Sequence, residues 1–281
     1  MTKSEKVLIT VKTYPTLSEK YGELVCTAGV REDGSWVRIY PLPFRRFEEY
    51  KRFAKYTWIE LQLTKNTTDP RPESHRPMGM DFKILEQVNY KNNWEKRKKL
   101  ILKSDIYDNM ALLISKAKAN ELSLAVFKPT KIFDFIWEEV DREWDPKKVE
   151  SILMDLKQRR LFEWEGFVKD FRIMPKLPYR FSYIFEDSDG KRSTLTIEDW
   201  EVGQLFWNCI KKYKNENEAL EKVKGKYFNE FVSKKDLYFF VGTTRQFHSW
   251  AKNPFLIIGT FHPPKILPKI IQKSLNFPGF P

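Results

Sequence analysis

Leu24-Val25-Cys26-Thr27-Ala28-Gly29-Val30-Arg31-Glu32-Asp33-Gly34-Ser35-Trp36-Val37-Arg38-Ile39-Tyr40 reads as a β-hairpin in its residue types. Two β-branched runs flank Asp33-Gly34, and a glycine there accepts the positive φ that a tight strand-to-strand turn requires. Side chains alternate along a strand, so Val37 and Ile39 share one face while Trp36, Arg38 and Tyr40 share the other. An exposed aromatic–Arg–aromatic ladder is what a single-strand platform needs: rings stack on bases at about 1–3 kcal/mol each and a guanidinium pairs with phosphate. The opposite assignment buries Trp36 and Tyr40 and makes Arg38 the partner of a carboxylate.

Working outward, residues 7–12 form a β-branched strand ending at Tyr14-Pro15, and residues 57–63 alternate as another strand. Between hairpin and strand, residues 44–54 carry charged and aromatic side chains at helical spacing. The second half repeats the order. Residues 131–137 read as a strand, 179–186 and 193–197 flank the turn Ser188-Asp189-Gly190, helices follow at 201–212 and 217–232, and strands at 237–241 and 255–259. Helices are predicted over 94–102, 104–120 and 145–160, the last with Asp145 as N-cap and Pro146 at the first helical position. Residues 263–281 hold five prolines and read as irregular.

Three strands, a helix and two strands is the order of an OB barrel. The expected fold is therefore α+β, with two OB-like β-barrel modules linked and flanked by helices, over residues 1–128 and 129–281. The fifth strand of the first module is either 82–88 or 122–127, and the latter segment serves equally as the start of the second module.

The run Val25-Cys26-Thr27-Ala28-Gly29 followed by Gly34-Ser35-Trp36-Val37-Arg38 resembles the short signature of the dual OB-containing family of prokaryotic genomes, over about fifteen residues. That family has Pro-Val more often where Ile39-Tyr40-Pro41 stands here. The resemblance implies a nucleic-acid-binding role. The runs around Trp200 and from Gly242 to His248 look like those of widespread bacterial proteins, with no activity attached.

Composition points the same way. The 281 residues carry 50 Lys+Arg against 38 Asp+Glu, a formal +12 that attracts polyanions, although lysine-rich surfaces also serve solubility alone. The excess leans toward the first 120 residues. No run approaches the roughly 20 apolar residues of a membrane span, and the start does not read as a signal segment. Two distant cysteines, Cys26 and Cys209, make neither a disulfide framework nor a zinc site, so a reducing cytoplasm is the expected location.

Candidate phosphate contacts are Arg45 and Arg46, with Lys51, Arg52 and Lys55 on the same stretch, and the cluster Lys96-Arg97-Lys98-Lys99. Each is equally an ordinary solvated face. Tyr179, Phe181, Tyr183 and Phe185 form a stripe on one strand, first a core and second a platform. Glu198, Asp199 and Glu201 at a strand-to-helix junction, with His248, are the candidate catalytic set of a metal-dependent nuclease; helix capping by the same acids is the alternative. His248 and His262 are placed to meet at one barrel end beside Thr244 and Arg245, where a base or phosphate would fit. No metal-ligand spacing, nucleotide loop, dinucleotide fingerprint or nucleophile elbow is present, and no cofactor is expected. The expected function is binding of single-stranded or distorted DNA or RNA, within a prokaryotic defence or processing system. A metal-dependent nuclease and a protein-interaction adaptor are the alternatives, with nucleic acid as partner, a protein partner as a further one, and no membrane.

Overall fold

The Asp33-Gly34 turn forms as read, with Gly34 at φ +91° and the Asp33 carboxylate accepting from the Ser35 N–H at 2.8 Å. The computed structural model describes residues 4–18, 22–159 and 171–265. The first half contains β1 (Ser4–Lys12), β2 (Thr16–Ser18), β3 (Gly22–Leu24), β4 (Thr27–Val30), β5 (Trp36–Ile39), β6 (Thr57–Lys65) and β7 (Ser74–Gln87). Strands β1, β4, β5, β7 and β6 hydrogen-bond in that order and close into a barrel; β5–β7 is a parallel pair and the other pairs are antiparallel. The fifth strand is thus the one containing residues 82–87. The strand predicted over 24–30 is split, because the N–H of Cys26 turns to the Thr13 hydroxyl at 3.0 Å while β3 pairs with β2.

Residues 44–54 are not a helix. They make two short 3-10 turns, Phe44–Arg46 and Glu49–Lys51, whose irregular path drops Phe44, Phe47 and Phe53 into the barrel interior with Val37, Ile39, Ile59 and Leu61. Filling the barrel end outweighs the helical spacing of the charges.

The rest of the chain contains α1 (Lys91–Ile101), β8 (Ile106–Tyr107), α2 (Met110–Lys118), β9 (Leu124–Phe127), β10 (Lys131–Glu139), α3 (Pro146–Arg159), β11 (Tyr179–Glu186) and β12 (Arg192–Thr196). After these come α4 (Trp200–Tyr213), α5 (Glu216–Lys224), a π turn (Gly225–Glu230), α6 (Phe231–Lys234), β13 (Tyr238–Thr243) and β14 (Phe255–Phe261). The predicted helix 104–120 is a short strand and a helix, because the Asn109 side chain caps α2 by accepting from the Leu112 N–H. The proline-rich segment beyond residue 265 lies outside the described residues.

A second closed barrel was expected, but these strands form two sheets, β10-β11-β12 and β14-β13-β9-β8. They touch through a parallel bridge, Ile197 with Ile257. The break between β9 and β10 falls at Pro129, which has no N–H to continue a ladder; the Lys128 N–H bonds the Tyr107 carbonyl and the Thr130 N–H the Glu186 carbonyl. Strand β9 pairs with β13, so residues 124–127 belong with the later sheets, not at the end of a first module closing at residue 128. Of the stripe Tyr179, Phe181, Tyr183 and Phe185, the last three are fully buried in this half's core, and Tyr179 is half-buried against it with its hydroxyl donating to Glu216 at 2.7 Å.

A third apolar cluster joins the halves. Leu8, Val11, Ala28 and Val30 on the outer barrel face pack with Leu124, Val126, Phe240, Ile258 and Phe261. Strand β1 is therefore buried on both sides, Val7 and Ile9 inward and Leu8 and Val11 against the second half, with a bulge between Ile9 and Val11 resetting the alternation.

Candidate functional site

The alternation along β5 holds, yet its outer face is covered. Trp36 is half-buried with its edge on Phe240, 5.6 Å between centroids, and Tyr40 is half-buried with its N–H on the His75 carbonyl. Arg38 is 2% exposed. Its Nη1 donates to the Ser123 hydroxyl at 2.6 Å, and its Nη2 donates to the carbonyls of Ser123 and Thr243 at 3.2 and 3.3 Å. The Glu73 carboxylate accepts from the Ser123 N–H and hydroxyl, and Arg71, held by Asp69 at 2.7 Å, also donates to the Thr243 carbonyl. Burial lowers the Arg38 pKa to about 10, with the Arg71 charge adding to the effect, so the group stays charged at neutral pH. Trp36 and Arg38 are thus seam residues, and Tyr40 is half-buried just past the end of β5. The reading that buried this face was closer, although Arg38 bonds serine and backbone oxygens instead of a carboxylate.

The cation strips divide as well. Arg45 donates both ways to the carboxylate of Glu23 at 2.6 and 2.7 Å, Arg46 is half-buried and engaged, and Lys55 is buried. Lys96 is exposed on α1, whereas Arg97, one residue on, is buried and turned to the protein.

The carboxylates and His248 do not meet. Asp199 is fully buried, caps α4 by accepting from the Glu201 N–H, and ion-pairs with Lys55 at 3.1 Å; Glu201 takes the same ammonium at 2.9 Å. Burial raises the Asp199 carboxyl to about 6 against the pull of Lys55; on Lys55, burial is overcome by the two carboxylates, which raise its pKa. His248 is buried between the Thr243 hydroxyl and the Asn120 side chain, each 2.9 Å away. Among the described residues no group of His, Cys, Asp and Glu is arranged to hold a metal ion. Of the nuclease candidates, Asp199 caps α4 and with Glu201 pairs Lys55, His248 anchors a loop, and Glu198 is half-buried with its carboxyl pKa raised by burial.

Two features remain. The first is a cavity of about 410 Å³ where the halves meet, lined by Lys55, Tyr56, Trp94 and Arg97 from one side and Glu201, Lys226, Tyr227, Phe231 and His262 from the other. The Arg97 guanidinium lies 4.0 Å from the Tyr56 ring centroid and 4.8 Å from that of Trp94, and its Nε donates to the Val88 carbonyl at 2.9 Å. Cation–π contact offsets part of the cost of burying this charge. His262 stacks on Phe231 at 3.9 Å; burial, reinforced by Lys55, lowers its pKa to about 4, so it is neutral.

The second is the loop 244–254 between β13 and β14. Trp250 is 68% exposed and Phe247 38%, the two rings 5.3 Å apart, with Arg245 and Lys252 exposed beside them in sequence and no acidic residue in the loop. His248 anchors its middle, and Arg71 and Arg38 hold its root at the Thr243 carbonyl. Two aromatics and two cations on a connection between apolar strands are legible in the sequence. What the sequence does not give is that the rings face solvent while the histidine between them faces in.

Two family models match: domain of unknown function DUF8758 over residues 3–103 and domain of unknown function DUF8757 over residues 107–277. Neither description names an OB fold. No curated protein matches the chain. A murine DNA-binding protein solved with double-stranded DNA is similar at a TM-score of 0.31 and 11% identity, over 95% of this chain and 98% of that one. So loose a superposition assigns neither fold nor partner. No helix among the described residues is long and apolar enough to cross a membrane. The DUF8757 match alone spans more than half of the sequence, and the chain belongs to the DUF8757 family, with a DUF8758 domain ahead of it.

Proposed function

We propose that this chain binds unpaired nucleic acid, DNA or RNA, through the loop 244–254. The observation that carries the reading is the exposed Phe247 and Trp250 pair on a loop whose only charged side chains are Arg245 and Lys252. Aromatic faces accept any base, and nearby cations neutralise phosphate without needing fine placement. A formal +12 over the chain supports the same partner.

Strand order adds to this. Counting β1, β4, β5, β6 and β7 as strands one to five, the barrel closes 1-2-3-5-4 with three and five parallel, which is OB-like order. If β9 and β10 are one first strand broken at Pro129, then β11, β12, β13 and β14 pair in the same order, the Ile197–Ile257 bridge standing for the parallel contact. The units then run over residues 4–103 and 106–265. Loop 244–254 joins strands four and five of the second unit, a connection through which OB folds contact oligonucleotides.

The test is fluorescence anisotropy with labelled single-stranded DNA and RNA at several salt concentrations. Trp250→Ala is expected to weaken binding about tenfold, from the roughly 1–3 kcal/mol of a stacked ring, and Arg245→Ala to flatten the salt slope by about one. No affinity for either polymer at low salt would sink the reading.

A further inference from the structure

Arg97 in the seam cavity is a cation without a direct ion pair among the described residues. Among the described residues no carboxylate lies within ion-pair distance of it, and its only hydrogen bond is from Nε to the Val88 carbonyl, so its Nη groups are unspent. A guanidinium with free Nη groups can take an anion as a bidentate partner, and Glu201, the carboxylate that acts on it from the cavity wall, is itself paired with Lys55. The rings that grip it are themselves held at a cost. Tyr56 and Trp94 have φ of 63° and 64°, in the left-handed region where bulky residues are rare, and the other non-glycine residues there are three asparagines and a lysine. Strain of this kind concentrates at ligand clamps. Across the cavity the Nδ1 of His262 is buried with no hydrogen-bond partner, on a ring stacked flat on Phe231 with Trp94 5.2 Å away. Lys226 lines the same space with its ammonium paired to Glu230 at 2.8 Å, Glu201 adds one carboxylate to the wall, and about 410 Å³ is within the usual range of small-molecule pockets.

An unspent guanidinium, an unsatisfied imidazole nitrogen and aromatic walls together describe a planar heterocycle bearing an anion. We propose that the seam cavity binds a nucleoside monophosphate, its base against Trp94, His262 and Phe231 and its phosphate on the Nη groups of Arg97, with Lys226 turning from Glu230 to share it. The same chemistry is offered by a free mononucleotide and by an unstacked nucleotide of a bound strand. The free form does not depend on binding at loop 244–254. Seven residues of β14, at about 3.3 Å each, set the two sites roughly 20 Å apart.

The experiment is calorimetric titration of the full chain with AMP, GMP, CMP and UMP, and with adenosine and inorganic phosphate as separate probes. At least one monophosphate is expected to bind saturably at one per chain, with nucleoside and phosphate alone at least tenfold weaker. Lys226→Ala, at the cavity margin, should lose several-fold affinity, and Leu205→Trp, which fills the cavity, should abolish binding; Trp250→Ala should leave it unchanged. If the monophosphates do not bind, a strand containing 2-aminopurine is tested: fluorescence enhancement on binding that Leu205→Trp removes, while Trp250→Ala weakens the strand's overall affinity, assigns the nucleotide to the strand. Absence of both signals overturns the proposal, as does wild-type affinity in both cavity variants.

Discussion

Arg38 shows how far a single side chain can be from the role its sequence neighbours suggest. Its guanidinium is spent on Ser123 and Thr243 across the seam, so Arg38→Ala would remove its charged hydrogen bonds there and leave a hole of guanidinium size, with the Thr243 carbonyl held by Arg71 alone and the Ser123 carbonyl by the Thr243 N–H alone. The expected loss is about 3–5 kcal/mol of stability, measured by urea unfolding, with no change in the salt slope of polymer binding if the protein is kept folded. His262 makes a second residue-scale prediction. Its folded pKa of about 4 lies below the usual 6.5, so between those values the unfolded chain holds more protons. Stability from this group is complete above pH 6.5 and lost as pH falls toward 4, by on the order of 3 kcal/mol at most. His262→Gln should flatten that slope in denaturation curves at pH 7 and pH 5. Which residues share a face of β5 was legible from alternation alone. That the face is covered was not, because the residues that cover it, Ser123, Phe240 and Thr243, come from 85 to some two hundred positions away.

At the scale of elements, local chemistry predicted best where it is self-contained. The hairpins turn on Gly34 and Gly190, both at positive φ, and α3 starts at Pro146, after the expected cap. Residues 44–54 failed as a helix because three phenylalanines are worth more inside the barrel than a regular backbone is on the surface. The placement of α4 is set by a close approach: a Cβ on Gly203 would sit 2.3 Å from the Tyr14 ring, whose hydroxyl accepts from Trp207 Nε1 at 2.7 Å and donates to the Pro175 carbonyl. Gly203→Val is expected to push the helix off that ring and cost about 1–3 kcal/mol or more, read as a lower melting temperature. The aromatic loop 244–254 was visible as composition. Its exposure depends on His248 being drawn inward by Asn120, a contact no local pattern encodes.

For the whole molecule, the apolar cluster between the halves makes them one cooperative unit. Far-ultraviolet and near-ultraviolet signals are expected to report a single coincident transition in urea, whereas independent halves would give two. A fragment ending at residue 103 would uncover Leu8, Val11, Ala28 and Val30 and should bind a hydrophobic dye. The triad of buried Lys55 and Asp199 with the more exposed Glu201 crosses the same boundary that separates the two family domains. Neither sign of charge is tolerable there without the other. A gene that exchanged one half for a relative's would therefore yield a sound protein only if the incoming half brought its own matching member of that triad, so the two domains are bound to be inherited, and to diverge, as a pair.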